Sequence, residues 1–300
     1  MSQNKPLVSI ITINFRDAAT TSALLDSITK QSYSNIQVIV VDNGSLEEVS
    51  ETFKAHYSEV EVIVSKENRG FAGGNNLGIQ AAKGDYLFFV NNDTVFTPDL
   101  IEQSLAAFTT DEIGVVAPKI YYFDQPEIIQ YAGFTPINPL TARNQTIGKD
   151  EKEEGQHDVS NETPYAHGAA MMLRRSVVEQ VGAMPEDYFL YYEEMDWCVQ
   201  IRNAGYKIIY APKAMIYHKE SIAVGKMSPL KTYYLTRNRI LFMRRNASRL
   251  SWILFILFFS FVTFPRWVLQ YTLKREWGHL RAFIRAVAWH VQRNRKAKSF

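Results

Sequence analysis

The chain has 300 residues, 46% hydrophobic and 21% charged, with a net charge of +2 and a single cysteine, Cys198. That composition excludes a mainly disordered chain and a fold stapled by internal disulfides, and a lone thiol accords with a reducing compartment. The small net charge conceals a split. Arg237 to Phe300 holds fourteen Lys/Arg and one acid, Glu276, for +13, while the other nineteen basic and thirty acidic residues leave Met1 to Thr236 at −11. A basic end calls for an anionic partner, lipid headgroups or nucleic acid. The apolar stretches between those charges decide for lipid. Met1 to Pro6 is short and polar and does not read as a secretory leader.

In chain order, Leu7 to Ile13 (LVSIITI) reads as a buried parallel strand and Thr20 to Gln31 as a helix. Ile36 to Val41 is a second strand ending in the turn Asp42-Asn43-Gly44-Ser45, followed by a helix over Glu47 to His56. Val60 to Ser65 is a third strand, Asn75 to Lys83 a helix, and Tyr86 to Val90 a fourth strand ending in Asn91-Asn92-Asp93. This alternation predicts βαβ units and a mostly parallel sheet. From Tyr121 to Tyr165 the pattern weakens into an excursion of loops on the acceptor side. Regularity returns with a strand at Ala169 to Leu173, helices at Arg175 to Val181 and within Tyr188 to Ala204, and a strand from Lys207.

Ligands of such sheets sit outside the carboxyl ends of the strands. Polar clusters stand at three of those ends, around Asn14, at Asp42-Asn43 and at Asn91-Asn92-Asp93, and converge on one crevice. The Asp93 carboxylate suits a hard divalent cation bridging phosphates, or else a simple strand-end turn. The run Asn68 to Gly78 (NRGFAGGNNLG) combines glycines that permit close backbone approach with asparagine donors. It fits a loop around a pyrophosphate or nucleoside, or a tight strand-to-helix connection. In Glu193-Glu194-Met195-Asp196-Trp197, Glu193 and Asp196 share a helical face while Glu194 points elsewhere. These acids can supply a catalytic base or only an acidic first turn. His218, alone after a strand, is a ligand or a structural histidine.

Taken together and in order, these runs resemble the inverting family 2 glycosyltransferases with the GT-A fold, especially their rhamnosyltransferase-like branch. The resemblance covers roughly Leu7 to Ser221 and rests on VSIITINFR (Val8 to Arg16), VVDNGS (Val40 to Ser45) and NRGFAGGNNLGI (Asn68 to Ile79). It continues through GDYLFFVNNDT (Gly84 to Thr94), HGAAMMLRR (His167 to Arg175) and FLYYEEMDW (Phe189 to Trp197). It implies a nucleotide-sugar donor site built from Thr12, Asn14, Asp42, Asn43, Asn68, Gly70, Phe71, Gly73, Asn75, Asn76, Asn92 and Asp93. Asp42 would meet the nucleobase, Thr12 and Asn14 the nucleoside, and the Asn68 to Asn76 loop would close over the donor. The resemblance further implies Mg²⁺ or Mn²⁺ at Asp93 and His218, with Glu194 as base and Asp196 beside it. This chain departs from the family in one respect. Its metal element is Asn-Asn-Asp, with one carboxylate in place of two.

The expected organisation is a catalytic domain over residues 1–225, its donor half about 1–120 and its acceptor half about 121–225, then a helical membrane-associating region over 226–300. Trp252 to Phe264 is intensely apolar but short for a span, and Pro265-Arg266 interrupts it, so a single span extended through Leu273 and an in-plane or re-entrant segment both stay open. Trp277, Leu280, Ile284, Val287 and Val291 share a helical face flanked by Arg281, Arg285 and Arg293. That pattern suits an interfacial helix on anionic lipid through residues 250–300. A glycan or lipid-linked acceptor at the cytoplasmic face of the cell membrane, in bacterial surface polysaccharide assembly, follows from the resemblance. Sequence leaves open the oligomeric state and two rival functions, a sugar nucleotidyltransferase and a non-catalytic membrane scaffold.

Overall fold

A computed structural model of the chain describes residues 5–45, 47–220 and 228–297. Ser221, where the resemblance ends, lies outside them, as do the basic side chains from Arg293 onward. The chain divides into two compact units. The first comprises Met1–Thr135, Thr146–Phe189 and Glu193–Ala223, and the second Pro136–Gln145, Leu190–Tyr192 and Val224–Phe300.

The first unit begins with β1 (Val8–Asn14), α1 (Ala18–Ile28), β2 (Ile36–Asn43), α2 (Glu47–His56), β3 (Val60–Ser65), α3 (Gly70–Ala81) and β4 (Tyr86–Asn91). It continues with β5 (Thr94–Phe96), α4 (Leu100–Ala106), β6 (Ile113–Tyr122), β7 (Ile129–Tyr131), β8 (Asn161–Glu162), β9 (Ala170–Arg174), α5 (Arg175–Val181), α6 (Glu193–Asn203) and β10 (Lys207–His218). The strands form one sheet in the order β3-β2-β1-β4-β9-β6-β10-β5, with β7 beside β6 and β8 beside β10. β3, β2, β1 and β4 run parallel, because α1, α2 and α3 supply the crossovers that parallel neighbours require. Beyond β4 the sheet is mixed. β9 lies antiparallel to both β4 and β6, and β10 is parallel to β6.

Local chemistry explains the boundaries. Asp17 caps α1, its Oδ1 accepting the Thr20 N–H at 3.1 Å, so the helix starts at Ala18, ahead of the predicted Thr20. α3 starts at Gly70 where the sequence predicts Asn75, so most of the glycine-rich run is helix and not loop. Packing overrides the poor helix propensity of glycine here. A β-carbon on Gly78 would lie 2.3 Å from Cγ2 of Ile11, so α3 reaches β1 only without side chains. Gly70 itself has φ +72°, and a β-carbon there would meet the Phe189 carbonyl oxygen.

α6 is pinned to the sheet by Trp197, which is fully buried. Its ring meets Phe89 of β4 edge-on at 5.5 Å, and its Nε1 donates to the Gly182 carbonyl at 3.0 Å. Burial of so large a ring contributes about 3–5 kcal/mol against alanine. Trp197→Ala is therefore the single change that would most disturb α6. The excursion between β6 and β9 is organised around a buried cation, Lys119. Its Nζ lies 2.7 Å from Glu153 and 2.8 Å from Asp158, and the Tyr121 hydroxyl donates to Glu153 at 2.6 Å. Desolvation opposes the Glu153 charge, yet Lys119, Tyr121 and the Gly155 N–H hold its pKa down at about 2.

The second unit contains α7 (Pro229–Asn246), α8 (Arg249–Phe258), α9 (Phe264–Leu273) and α10 (Trp277–Ala297). Ser228 and Ser248 cap α7 and α8 through 3.1 and 3.2 Å bonds from Lys231 N–H and Ser251 N–H. Pro265 does not break the apolar stretch. A π-helical turn over Phe259–Thr263 joins α8 to α9, with Phe264 N–H bonding back to the Phe259 carbonyl, so Arg249–Leu273 is one helical stretch of 25 residues. A widened turn absorbs the proline ring without leaving the helix. α10 buries Phe283, Ala286 and His290, and leaves Trp277, Ile284 and Val291 about half exposed.

Candidate active site

The carboxyl ends of β1, β2 and β4 meet as the sheet register dictates, with Asn14 opposite Asp42 and Ile13 opposite Asn91. A hydrogen-bond chain ties these ends together. Asn14 Nδ2 donates to Asp42 Oδ1 at 3.1 Å, the Thr21 hydroxyl donates to Asn14 Oδ1 at 2.8 Å, and Asn92 Nδ2 donates to the Thr21 hydroxyl at 3.1 Å. Thr21 and Ser45 (whose hydroxyl accepts from Asn14 and from the Arg16 N–H) were not among the sequence candidates. A threonine within a helix carries no motif, and only its position one turn into α1 could have drawn attention to it.

After these bonds two buried oxygens at this end have no partner, Thr12 Oγ1 and Asp42 Oδ2. Both residues are fully buried. An unsatisfied buried carboxylate oxygen costs on the order of 1–3 kcal/mol, so these atoms are poised to take a donor group from a ligand. The arrangement is preformed on rigid strand ends.

Several other candidates hold the fold. Asn43 Nδ2 donates to Asn68 Oδ1 and to the Gly70 carbonyl at 3.2 and 3.0 Å, and its Oδ1 accepts the Arg69 N–H at 2.9 Å. Asn76 clasps the segment before α6, giving Nδ2 to the Met184 carbonyl and to Glu186, both at 2.9 Å, and accepting the Met184 N–H at 3.0 Å. Asn75 Nδ2 donates to the Phe71 carbonyl at 3.1 Å, and the Phe71 N–H donates to the Phe189 carbonyl at 2.7 Å. Gly73 packs against Arg69 and Glu186. Asn68 is exposed and bonds the Gly70 N–H at 2.8 Å.

Asp93 and His218 come together although 125 positions apart, because His218 of β10 pairs with Thr94 of β5 and the Lys219 N–H bonds the Asp93 carbonyl at 2.9 Å. Asp93 Oδ1 lies 3.1 Å from His218 Nε2, both side chains buried, yet the orientation makes no hydrogen bond and neither atom has another partner. His218 Nδ1 lies 2.7 Å from Gln130 Oε1, and in the tautomer that donates from Nδ1 to this oxygen Nε2 presents a lone pair. Two lone-pair atoms this close repel unless a cation lies against both, and an imidazole braced by an amide oxygen is the usual support of a metal ligand. Among the described residues no cluster of three or more His, Cys, Asp or Glu forms a complete cage. A two-ligand site fits a hard divalent ion that keeps waters and binds substrate phosphates. Gln130 lies in the short strand β7 within the excursion, and no local pattern points to it.

His167 stands next to this pair, its ring 6.0 Å from that of His218 and stacked on Phe134 at 5.9 Å. Burial, then the neighbouring His218 and Lys149, pushes its pKa down to about 3, so it is neutral at physiological pH. The following loop brings in the acidic motif. The Ala169 carbonyl accepts the Asn91 N–H at 2.9 Å, and Gly168 packs against Glu194, whose Oε1 lies 3.7 Å from the position a β-carbon would take. Glu194 is half-buried, whereas Glu193 and Asp196 are almost wholly buried. Asp196 Oδ2 accepts a long 3.4 Å bond from Gln200. Phe189 (φ +66°), Tyr191 (+70°) and Tyr192 (+77°) all take left-handed backbone conformations just ahead of Glu193, a concentration of strain typical of functional sites.

Comparison with known proteins accords with this geometry. The family model for glycosyl transferase family 2 matches residues 9–182. The low-salt glycan biosynthesis hexosyltransferase Agl10 of Haloferax volcanii is 25% identical over 239 residues, 78% of this chain and 74% of that protein. The dTDP-rhamnosyl transferase RfbF of Shigella flexneri is 24% identical over 258 residues, 81% of each chain. A longer uncharacterised protein of Sinorhizobium fredii is 27% identical over 253 residues, and the chain spans only 28% of its length. A mannosyltransferase from Pyrobaculum calidifontis, solved with GDP-Man and Mn²⁺, superposes with a TM-score of 0.58 over 95% of this chain and 86% of that one at 15% identity, a likeness of fold. The strand-end crevice, the Asp93–His218 pair and the family match over more than half the chain converge, and the chain belongs to glycosyl transferase family 2.

Proposed function

We propose that this protein transfers a sugar from a nucleotide-diphosphate donor to an acceptor hydroxyl in glycan biosynthesis, with inversion at the anomeric carbon. The observation that carries the reading is the buried pair of lone-pair atoms, Asp93 Oδ1 and His218 Nε2, 3.1 Å apart beside a strand-end nucleotide crevice. A divalent ion held there, Mg²⁺ or Mn²⁺, would neutralise charge on the donor diphosphate. From fixed positions Asp42 Oδ2 accepts from the nucleoside, and the Thr12 hydroxyl accepts from it or donates to it. Glu194, the least buried member of the acidic motif, takes the proton of the attacking hydroxyl, and a single displacement needs no covalent sugar–enzyme intermediate.

The donor we favour is dTDP-rhamnose, supported by the RfbF relative. The acceptor we favour is lipid-linked, at the cytoplasmic face of the membrane. Supporting this, Arg249–Leu273 is about 37 Å long at the helical rise per residue, enough to cross a hydrocarbon core of about 30 Å. Leu250, Phe261, Leu269 and Leu273 of that stretch are 59–77% exposed.

The test is thermal unfolding of the whole chain with dTDP, UDP, GDP or CMP, with and without Mn²⁺. A nucleotide at a hundred times its dissociation constant stabilises by about 2.7 kcal/mol. The expected result is selective stabilisation by dTDP that requires Mn²⁺. Stabilisation by UDP alone would redirect the donor to a UDP-hexose. Folded protein that responds to none would overturn the donor site and leave a scaffold.

A further inference from the structure

The second unit holds a cation for which the described residues provide no counter-charge. Arg239 of α7 is 7% exposed, its Nε is buried without a hydrogen-bond partner, and its guanidinium carbon sits 5.5 Å from the Phe259 ring. It lines a cavity of about 320 Å³ together with Arg143 and Lys231, and with the hydroxyl-bearing Tyr192, Thr232 and Tyr271. No Asp or Glu lines that cavity among the described residues. Burying a guanidinium without an anion is costly, and a purely structural residue at this position would be better served by methionine or leucine. Arginine is retained where a planar fork must grip a phosphate or carboxylate.

A second cavity of the same unit, about 510 Å³, is walled mainly by apolar side chains, Trp252, Ile256, Phe259, Phe264 and Val287 among them, with Arg244, Ser260 and His290 also on its lining. Phe259 belongs to that wall and also contacts Arg239, so a cationic chamber and an apolar chamber adjoin across one ring. The chemistry is that of an amphiphile with an anionic head directly joined to hydrocarbon. Tyr192, in the cationic wall, is separated from Glu194 by a single residue of chain.

We propose that Arg239, assisted by Arg143 and Lys231, binds the phosphate or diphosphate of a lipid-linked glycan acceptor, whose hydrocarbon enters the Phe259-walled cavity. The assignment rests on the glycosyltransfer reading above and names its acceptor class. It accounts for the unpaired guanidinium, for the absence of acids from the wall and for the junction of the two chambers.

The experiment is calorimetric binding to the full chain in dodecylmaltoside micelles, with farnesyl diphosphate, farnesol, inorganic pyrophosphate and phosphatidylglycerol as probes. Farnesyl diphosphate is expected to bind at least tenfold more tightly than farnesol or phosphatidylglycerol, with pyrophosphate competing. Arg239→Met should weaken it tenfold or more without lowering the melting temperature. Equal affinity for farnesyl diphosphate and farnesol, or an unaffected Arg239→Met, overturns the site. Phosphatidylglycerol binding as tightly as the diphosphate makes it a headgroup site and removes the acceptor. A fall in melting temperature marks Arg239 as structural, and the comparison then passes to the less buried pair Arg143→Ala/Lys231→Ala, which must weaken farnesyl diphosphate at least fivefold or the proposal fails. Nucleotide stabilisation with Mn²⁺ is measured on the same variants. Its retention alongside lost lipid binding isolates the acceptor site, whereas its absence from the wild type indicts the glycosyltransfer reading and leaves the anion site standing.

Discussion

The two units carry the same unusual feature with opposite sign. In the first, buried oxygens of Asp42 and Asp93 are left without donors at the ends of apolar strands. In the second, the buried guanidinium Nε of Arg239 is left without an acceptor in a helical, strongly basic segment. Native folds satisfy most of their buried polar atoms, so such exceptions mark where a ligand completes the structure. The difference between the units lies in how the surrounding groups are held. Around Asp42 the side chains of Asn14, Thr21 and Asn92 are bound into a network, with the Thr12 hydroxyl left open, as suits a small ligand recognised atom by atom. Around Arg239 the wall joins cationic and hydroxyl-bearing side chains to aromatic ones, and Phe259 leads on to an apolar cavity, as suits an anionic partner with hydrocarbon attached.

The largest effect expected within the first unit comes from its accessible acid. Glu194→Gln should lower turnover by about a thousandfold, within the range for removing a general base, with the melting temperature nearly unchanged. Asp196→Asn, at a side chain 1% exposed, should lower the melting temperature more than the turnover. Steady-state rates and unfolding curves on the pair decide the matter, and a dead but stable Asp196→Asn beside an active Glu194→Gln reverses the two roles. Next in size is the brace on His218. Gln130→Leu removes the amide oxygen 2.7 Å from His218 Nδ1, and should weaken Mn²⁺ about tenfold or more, measured by titrating the metal dependence of nucleotide stabilisation. A merely structural Gln130 would change stability and leave that titration unmoved.

These residues also show what the sequence could disclose. The parallel half of the sheet was legible because each strand is a β-branched run closed by a polar turn, and each crossover is short. Motifs singled out Asp93 and Glu194, and the fold buries the first and half-buries the second. The same run-reading misplaced the start of α3, because glycine argues for a loop in sequence and for close helix–strand contact in space, as Gly78 against Ile11 demonstrates. Gln130 and Arg239 could not be found at all. Each acquires its meaning only from partners brought in by the fold, His218 from 88 positions away and Arg143 from 96. Pro265 misled in the other direction, since a π turn lets the helix run through it.

The acid cluster in the excursion offers a smaller and signed effect. Glu153 has its pKa lowered from 4.5 to about 2 in the folded chain. A depressed carboxylate stabilises the fold fully above its unfolded pKa, and that contribution is lost as pH falls from about 4.5 through about 2. Glu153→Gln should therefore reduce stability at pH 7 by about 1–3 kcal/mol, because Lys119 loses one of two anions, and should flatten the decline below pH 4.5. Unfolding by urea at pH 7 and at pH 3 checks both parts. A variant whose stability falls with acid as steeply as the wild type would assign the acid sensitivity elsewhere.

The smallest effect tests the basic unit from outside. Trp277, Ile284 and Val291 recur every seven residues along α10 and stand about half exposed, so they form one apolar stripe next to Arg281 and Arg285. If that stripe lies in a lipid interface, Ile284→Ser forfeits the burial of roughly half a side chain. That is worth about 1 kcal/mol, or about fivefold in partitioning. The measurement is co-sedimentation with vesicles containing phosphatidylglycerol, run at low and high salt. Fivefold weaker sedimentation that weakens further with salt places α10 in the interface, because headgroup attraction is screened while apolar burial is not. Undiminished sedimentation at both salts would leave Arg249–Leu273 as the whole anchor. The basic charges along α10 would then need another task, and an anionic ligand of the Arg239 kind is the one for which the second unit is already built.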